Sequence, residues 1–296
     1  MVIATGFFDG VHLGHRRVIS TLVSEARARG EESMVVTFWP HPRNVLQKDA
    51  RSLRLLSSQE EKKRMLLELG VDHVEVVDFT REFSALSAER YLREYIIGKF
   101  GGTAVLLGYD NRLGGDGLSP EEIARTAGGL GLDVIRTPEV SGDSGFAVSS
   151  SKIRLALEKG EVGEASAMLG YDYPLLGVVV AGKRLGRAIG FPTANMELYE
   201  PLKLVPANGA YLVRVHTLGR ELYGMCNIGV RPTISDGNAR TIETNIFSFD
   251  EDIYGLDLGI EFISKIRDEV RFPDLDSLKA RLALDRDTCL ARLSRP

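Results

Sequence analysis

The sequence predicts two domains of different class, an α/β domain with a parallel sheet and then a small antiparallel β-barrel that ends in a helix. The chain has 296 residues, which is more than a single hydrophobic core usually organises. Up to about residue 170, short β-rich runs alternate with segments of helical spacing, and beyond it β-rich runs follow one another between Gly, Pro and Asn. We therefore expect domains at 1–157 and 176–296, joined by a linker or helical segment at 158–175.

The first part has five runs with the composition of β-strands: VIATGFF, SMVVTFW, HVEVVDF, TAVLLG and LDVIRT. Three segments between them have helical spacing: GHRRVISTLVSEARARG, SSQEEKKRMLLELG and SAERYLREYIIGKF. In the first of these we expect His15 to begin the helix, Gly30 to end it, and one face to carry Val18, Leu22, Val23 and Ala26. Strands that alternate with helices predict a parallel sheet, whose ligands bind at the carboxyl ends of the strands.

The second part has β-rich runs that alternate apolar and polar residues: LGVVVAG, YLVRVHTL, LYGMCNIG, TIETNIFSF and GIEFISKI. Such runs, separated by turn residues and without long helices, predict a small antiparallel sheet or barrel. A last helix is predicted in DLDSLKARLALDRDTCLARL, capped by Asp274 or Asp276, with Leu278, Leu282 and Leu293 on its buried face.

Composition excludes several classes of protein. A net charge of -4 and a pI near 5.8 argue against an electrostatic grip on nucleic acid. No apolar run approaches the ~20 residues that span a bilayer, and the start of the chain does not resemble a signal peptide. The two cysteines, Cys226 and Cys289, are far apart and lack metal-ligand spacing. We expect a cytoplasmic protein with reduced thiols that binds neither membrane nor nucleic acid.

The first chemical motif is GFFDGVHLGH at residues 6–15. Gly10 and Gly14 allow a sharp turn and a close approach of the backbone to a ligand. The helix that follows would present free amides and its dipole to an anion. His12 and His15 there are suited to donate hydrogen bonds to phosphate oxygens. The alternative interpretation is a glycine-rich turn with two incidental histidines.

A second phosphate site is suggested by VSSSKIR at residues 148–154. Hydroxyl groups followed by Lys152 and Arg154, just before a helix, form a plausible grip for a pyrophosphate. The alternative is a serine-rich helix cap with solvated basic residues.

The third motif is GKRLGRAIGFPTANM at residues 182–196. Its glycines allow backbone amides to face an anion, and its three basic residues add positive charge. Thr193 and Asn195 supply hard oxygen donors, which suit Mg²⁺ because that ion uses few protein ligands and keeps water and phosphate oxygens. The segment lacks the GxxxxGK[ST] pattern of a P-loop, and the alternative is a basic glycine-rich hairpin.

The first motif, in its longer form FDGVHxGH, resembles the FAD synthetase branch of the nucleotidylyltransferase superfamily. TFWPHP, LLSSQEEKKRMLLELGVD, GYDNRLG and VSSSKIR are similar to later motifs of that branch and stand in the same order. The resemblance implies a Rossmann-like domain in which ATP is bound by Gly6, Phe8, Asp9, Gly10, His12, Gly14, His15, Ser150, Ser151 and Arg154. It also implies that Asp110 and Arg112 help to bind the flavin.

GxxGFPTAN in the third motif resembles riboflavin kinase, and PANGAYLVRV, GMCNIGVRPTI, IETNIFSFDEDIYG and FISKIRDEVRF continue the similarity. The resemblance implies that Glu243 is the general base, that Thr193 and Asn195 hold the metal, and that Arg267 contacts the flavin. It further implies that ATP is bound by Gly182, Lys183, Gly190, Phe191 and Pro192. Asn245 stands where that family usually has a histidine, and we expect this position to tolerate the change.

The order of the motifs is that of the bacterial bifunctional riboflavin kinase/FAD synthetase family. This implies that MgATP and riboflavin give FMN and ADP, and that ATP and FMN then give FAD and diphosphate. It implies small-molecule partners only, in a monomer or weak homo-oligomer.

Three other interpretations stay open. Asn111 and Leu113 stand where the FAD synthetase branch usually has phenylalanines, so the chain could be a riboflavin kinase with weak or lost FAD synthetase activity. It could also be a non-catalytic flavin-binding regulator. A cytidylyltransferase that uses CTP would share the HxGH turn but would not account for residues 182–271.

Overall fold

The chain forms two compact units, Met1–Ser150 and Ser151–Pro296. A computed structural model describes residues 1–46, 53–108, 113–137, 148–182, 185–231 and 239–294. Within these ranges no helix is both long enough and apolar enough to cross a membrane.

The first unit is built on a parallel sheet, as predicted. Its strands are β1 (Val2–Thr5), β2 (Ser33–Trp39), β3 (His73–Asp78), β4 (Ala104–Leu107) and β5 (Asp133–Arg136). Their order in the sheet is β3-β2-β1-β4-β5, and β1 pairs with β2 on one side and with β4 on the other. The carboxyl end of β1 therefore lies at the point where the strand order reverses, which is where open α/β sheets bind ligands.

Helices connect these strands. They are α1 (Leu13–Arg29), α2 (Pro42–Leu46), α3 (Gln59–Glu68), α4 (Arg81–Ser84), α5 (Ala88–Tyr91), which continues into a π-helical segment (Leu92–Lys99), and α6 (Pro120–Gly129). Helix α1 ends at Gly30 as predicted, with φ at 65° and its N–H directed to the carbonyl groups of Ala26 and Arg27. The prediction that His15 begins the helix was wrong by two residues, because the side chain of His12 caps the helix from outside and Leu13 is its first residue.

The second unit is a closed antiparallel barrel, also as predicted. Two helices, α7 (Ser150–Lys159) and α8 (Val162–Leu169), precede it, and α9 (Leu185–Ala188) forms a short turn between its first two strands. The strands are β6 (Tyr173–Val180), β7 (Ala194–Leu198), β8 (Gly209–Thr217), β9 (Arg220–Arg231), β10 (Ala239–Ile246) and β11 (Asp257–Arg267). They close in the order β10-β7-β6-β11-β8-β9. Tyr173, Tyr211 and Phe262 are fully buried.

The last helix, α10 (Leu275–Leu293), begins at the predicted place. Asp274 rather than Asp276 caps it, since the Asp274 carboxylate accepts the Ser277 N–H at 2.7 Å. Leu278, Leu282 and Leu293, which we expected to be buried, are only half-buried. The fully buried positions of α10 are Asp285 and Cys289.

Candidate active sites

The turn that follows β1 has a backbone that residues with side chains rarely adopt. Phe8 has φ at 53°, Gly10 at 76° and Val11 at 36°. A positive φ is a true outlier for a β-branched residue such as Val11, and each strained residue costs about 1–3 kcal/mol. Such a turn persists only where its surroundings hold it, and here buried polar side chains do so.

Asp9 is the first of these side chains. Its buried carboxylate accepts the backbone N–H groups of Leu56 and Ser57, each at 3.0 Å. The Ser57 hydroxyl accepts the Gly10 N–H at 3.0 Å, and the Ser150 hydroxyl donates to the Asp9 carbonyl at 3.1 Å. These contacts assign Asp9 to fixing the shape of the turn, with its carboxylate directed into the protein.

Lys62 is the second, and the sequence motifs did not single it out. This residue of α3 is 2% exposed, and its Nζ donates to the Phe7 carbonyl at 3.0 Å and to Thr37 Oγ1 at 2.9 Å. Its ammonium also lies 4.0 Å from the centre of the Phe7 ring. Burial lowers the pKa of Lys62 from 10.5 to about 8, while the charge of Asp9 acts in the opposite direction. A helical plot would have flagged the residue, because Lys62 precedes buried Leu66 by four positions and so shares its face.

His12 and His15 lie together at the start of α1. His12 Nδ1 accepts the His15 N–H at 3.3 Å, and the two rings stack with centroids 3.6 Å apart. A Cβ on Gly14 would approach the His12 ring to 3.2 Å, so a glycine there lets the ring fold over the helix terminus. Because Nδ1 of His12 accepts this bond, the ring nitrogen suited to donate to a ligand is Nε2.

His15 is neutral. Burial holds its pKa well below the ordinary value, and the nearby His12 and Lys62 lower it further. Its Nδ1 is buried and has no hydrogen-bond partner within the described part of the chain. Two imidazoles, helix amides and a buried ammonium thus surround one turn, an arrangement suited to polyanions.

The other residues predicted from the first motifs show fewer contacts that bear on a role. Gly6 lies against the Phe8 ring, which a Cβ at this position would approach to 3.0 Å. Ser151 and Arg154 lie on the first turns of α7, exposed and half-buried respectively. Asp110, Arg112 and Lys183 lie outside the described residues.

In the barrel, three polar side chains form a row across neighbouring strands. Asn195 on β7 is the direct cross-strand partner of Glu243 on β10, and Glu243 is in turn opposite Asn227 on β9. Directly opposed residues have Cβ atoms about 4.5–5.5 Å apart. Gly182 makes room for this row, since a Cβ there would lie 2.3 Å from the Asn195 side-chain nitrogen. The strand register therefore brings together the predicted base and a predicted metal ligand, and adds Asn227.

Strand β7 was not predicted. Its sequence, ANMEL, buries only Met196 and so lacks the alternation of a barrel strand. The last two residues of the PTAN motif, Ala194 and Asn195, belong to this strand.

The segment before β7 is a compact turn. Gly190 has φ at 84°, and the Phe191 N–H donates to the Gly186 carbonyl at 2.8 Å. Phe191 itself is buried against Leu212, Met225 and Cys289. Phe191 thus anchors the turn in the barrel, while Pro192 beside it stays exposed.

A cavity of about 210 Å³ opens beside Thr193. It is lined by the turn on one side and by the segment after β10 on the other, including Arg187, Pro192, Thr193, Phe249, Asp252 and Tyr254. Among the described residues no group of three or more His, Cys, Asp or Glu side chains is arranged to hold a metal. The hydroxyl of Thr193 and the amide of Asn195 fit Mg²⁺, because that ion takes one or two protein oxygens and fills its shell with phosphate and water.

Arg267 takes part in an ion-pair cluster. Its Nε donates to Asp285 on α10 at 2.8 Å, and Nε of Arg281 donates to the other oxygen of the same carboxylate at 3.0 Å. Asp285 is 1% exposed, and the Arg267 side chain 9%. These contacts join the last strand of the barrel to α10. A flavin contact of Arg267 would have to use guanidinium nitrogens other than the Nε that is bonded to Asp285.

Comparisons with known proteins match both units of the chain. A family model described as FAD synthetase matches residues 1–152, and one described as riboflavin kinase matches residues 169–293. The chain is 35% identical to the bifunctional riboflavin kinase/FMN adenylyltransferase of Bacillus subtilis (strain 168), over 99% of this chain and 92% of the relative. It is 36% identical to the protein of the same description from Escherichia coli (strain K12), over 96% and 90%.

A solved structure described as a macrolide-efflux protein from Streptococcus pneumoniae is also similar. It has a TM-score of 0.89 and 32% identity, over 97% of this chain and 93% of that one. Two family models in tandem, and relatives matched over nearly their whole length, show the resemblance seen in the motifs to be true homology. The chain belongs to the family of bifunctional riboflavin kinase/FMN adenylyltransferases.

Proposed function

We infer that this chain makes both flavin cofactors in succession, first FMN from riboflavin and then FAD from FMN. The observation that carries the inference is the presence of both family domains in one chain. Each unit has its own polar site, and the first reaction supplies the substrate of the second.

In the barrel, Glu243 is proposed as the base of the riboflavin kinase. It would accept the proton of the ribityl hydroxyl as that oxygen attacks the γ-phosphorus of ATP. An oxygen–phosphorus bond forms, the bond between the γ-phosphorus and the bridging oxygen breaks, and ADP leaves. Thr193 and Asn195 would hold Mg²⁺, which when bound offsets negative charge on the phosphates. Asn195 lies opposite Glu243, which supports assigning the proposed base and the proposed metal ligand to one site.

In the first unit, the turn at 6–15 is proposed to bind ATP for adenylyl transfer. A phosphate oxygen of FMN attacks the α-phosphorus, the bond to the oxygen that bridges the α- and β-phosphorus atoms breaks, and diphosphate leaves. No side-chain nucleophile is needed, since the FMN phosphate is already an anion. Hydrogen bonds from His12, His15 and the α1 amides would offset charge on the phosphates, and buried Lys62 adds positive charge beneath the turn.

The flavin side of this unit bears on the alternative of weak or lost FAD synthetase activity. Leu113, one of the two residues that motivated it, is 6% exposed and packs in the hydrophobic core with Tyr91 and Ile123. The leucine at this position is therefore a packing residue. Asp110 and Arg112 stay predicted flavin ligands outside the described residues.

We further propose that the enzyme acts in the cytoplasm as a monomer or weak homo-oligomer, with small molecules as its partners. Its two cysteines are buried and free, and burial raises the pKa of Cys289 to about 11. Unreactive thiols of this kind support a protein that keeps its cysteines reduced.

A time course with the full chain, riboflavin and MgATP tests the two-step function. Riboflavin, FMN and FAD are separated by chromatography at each time point. FMN should appear first and FAD after a lag, and added FMN should abolish the lag. The bifunctional assignment fails if FMN accumulates but never yields FAD, and the kinase assignment fails if riboflavin is not consumed.

A further inference from the structure

Asn245 lies where the pairing between two barrel strands stops. The β10–β7 ladder runs through Glu243 opposite Asn195 to Thr244 opposite Ala194, and no backbone pair follows. At the next residue, a side-chain hydrogen bond replaces the pairing of the strands: Asn245 Nδ2 donates to the Pro192 carbonyl at 2.7 Å. Asn245 is only 8% exposed, so the donor end of this partly buried bond is shielded from water.

The consequence concerns Thr193. Ala194 on one side of it is held by strand pairing, and Pro192 on the other side is held by the Asn245 amide. Thr193 is thus fixed at both ends, two positions before Asn195, which lies in the row with Glu243. We propose that Asn245 is a positioning residue of the riboflavin kinase, whose amide keeps the Thr193 hydroxyl in place for MgATP.

The requirement is for a hydrogen-bond donor. The Pro192 carbonyl can only accept, so a carboxylate or an apolar side chain at position 245 would leave it unpaired, whereas an imidazole N–H could replace the amide. Asn245, which we expected only to be a tolerated replacement, therefore supplies the donor to the Pro192 carbonyl.

Kinetics with the full chain give the first test, and they rest on the proposed kinase function. In Asn245→Asp, which keeps the size but loses the donor, KM for MgATP in riboflavin phosphorylation should rise about tenfold, the loss expected when a partly buried hydrogen bond is replaced by two acceptors that face each other. The kcat should stay within about threefold, and conversion of FMN to FAD should not change. Asn245→His should restore the wild-type KM to within about threefold, because the donor is back.

Hydrogen exchange gives a second readout that does not depend on turnover. The peptide that covers residues 191–196 should exchange faster in Asn245→Asp than in the unmodified chain, and MgADP should protect it only at about tenfold higher concentration. Thr217→Val is the matched control, because the Thr217 hydroxyl donates to the Asp257 carbonyl at 3.0 Å in a comparable side-chain-to-backbone bond of the barrel. This control should leave both KM and the exchange of residues 191–196 unchanged.

Three outcomes would overturn the inference. Asn245→Asp could match the unmodified chain in KM and exchange, Asn245→His could be as impaired as Asn245→Asp, or Thr217→Val could raise KM equally. If the unmodified chain fails to phosphorylate riboflavin, the proposed function is wrong, and the exchange experiment still decides whether Asn245 holds the segment.

Discussion

The two sites of this chain hold their polar groups by opposite means. In the first unit a strained turn is held by buried side chains, with Asp9 bonded to Leu56 and Ser57 and with Lys62 bonded to the Phe7 carbonyl. In the barrel the groups lie on paired strands, where register alone sets Glu243 opposite Asn195. One site depends on a few buried side chains that support the turn, and the other on many backbone hydrogen bonds.

This difference teaches where each site is vulnerable. A strained turn relaxes when one of its few supports is removed, because positive φ at Phe8 and Val11 is unfavourable by itself. A strand position hardly moves when its side chain changes, because the ladder keeps the backbone in place. Substitutions in the barrel row should therefore act on chemistry, and those beneath the turn on both stability and chemistry.

The largest effect is expected from Glu243→Gln. The change keeps the size of the side chain and the strand pairing but removes the proton acceptor. Riboflavin phosphorylation should fall by roughly 10²–10⁴-fold, while FMN is still converted to FAD at the wild-type rate. Separate assays from riboflavin and from FMN measure the two rates. Equal loss of both would contradict two independent sites.

Next comes Asp285→Ala, which tests whether a buried ionic cluster in the barrel unit behaves like the supports of the turn. Removing the shared carboxylate leaves Arg267 without its buried partner, and breaking such a pair costs about 3–5 kcal/mol. Calorimetry should show the second unit melting earlier. Fluorescence of Trp39, the single tryptophan, which lies on β2, should report an unchanged first unit. Asp274→Ala, which removes only the cap of the same helix, should cost about 1 kcal/mol.

His15→Ala should lower conversion of FMN to FAD about 100-fold, the usual effect of removing one donor that stabilises charge in a transition state. Riboflavin phosphorylation should not change. Leu13→Ala is the control, because Leu13 begins the same helix and is 44% exposed. An undiminished FAD yield from His15→Ala would mean that the histidines of this turn only cap the helix.

The sequence was sufficient for the parallel sheet and the barrel because each has a strong hydrophobic period. It failed at β7, where functional residues replace the apolar positions and only Met196 is buried. Strand register cannot be read from one strand, so the pairing of Asn195 with Glu243 required the fold. The motifs placed His12 and His15 at a helix start, but the cap formed by His12 shifted that start to Leu13.

The sequence motifs missed the supports of the first turn for a physical reason. Lys62 is 55 positions from the carbonyl that it contacts, and a lysine within a charged helical segment usually reads as a solvated face. Asp9 was grouped with the phosphate ligands because it lies within their motif, whereas its bonds to Leu56 and Ser57 come from a segment far along the chain. A motif groups residues that are close in sequence. It does not distinguish a residue that binds the substrate from one that holds the backbone of the turn in place.

The smallest effect is expected from Lys62→Met, and it separates stability from chemistry at the turn. Burial lowers the pKa of Lys62 to about 8. Below pH 8 the lysine is charged in both the folded and the unfolded state, so the fold bears the full cost of the buried ammonium. Between pH 8 and 10.5 the folded state releases the proton first, and the free energy of unfolding of the unmodified chain should rise with pH.

Methionine removes this cost, and the Phe7 carbonyl keeps a donor, the Thr37 hydroxyl at 3.1 Å. Lys62→Met should therefore stabilise the first unit by about 1–3 kcal/mol at pH 7, with the gain shrinking as the pH rises from 8 to 10.5. Conversion of FMN to FAD should nevertheless slow by about tenfold, because positive charge beneath the phosphates is lost. Trp39 fluorescence during denaturation measures the free energy of unfolding of the first unit, and the FMN assay measures the rate of FAD formation. A variant that is both less stable and less active would contradict this expectation and would show that the turn depends on Lys62 as a structural support, as it does on Asp9.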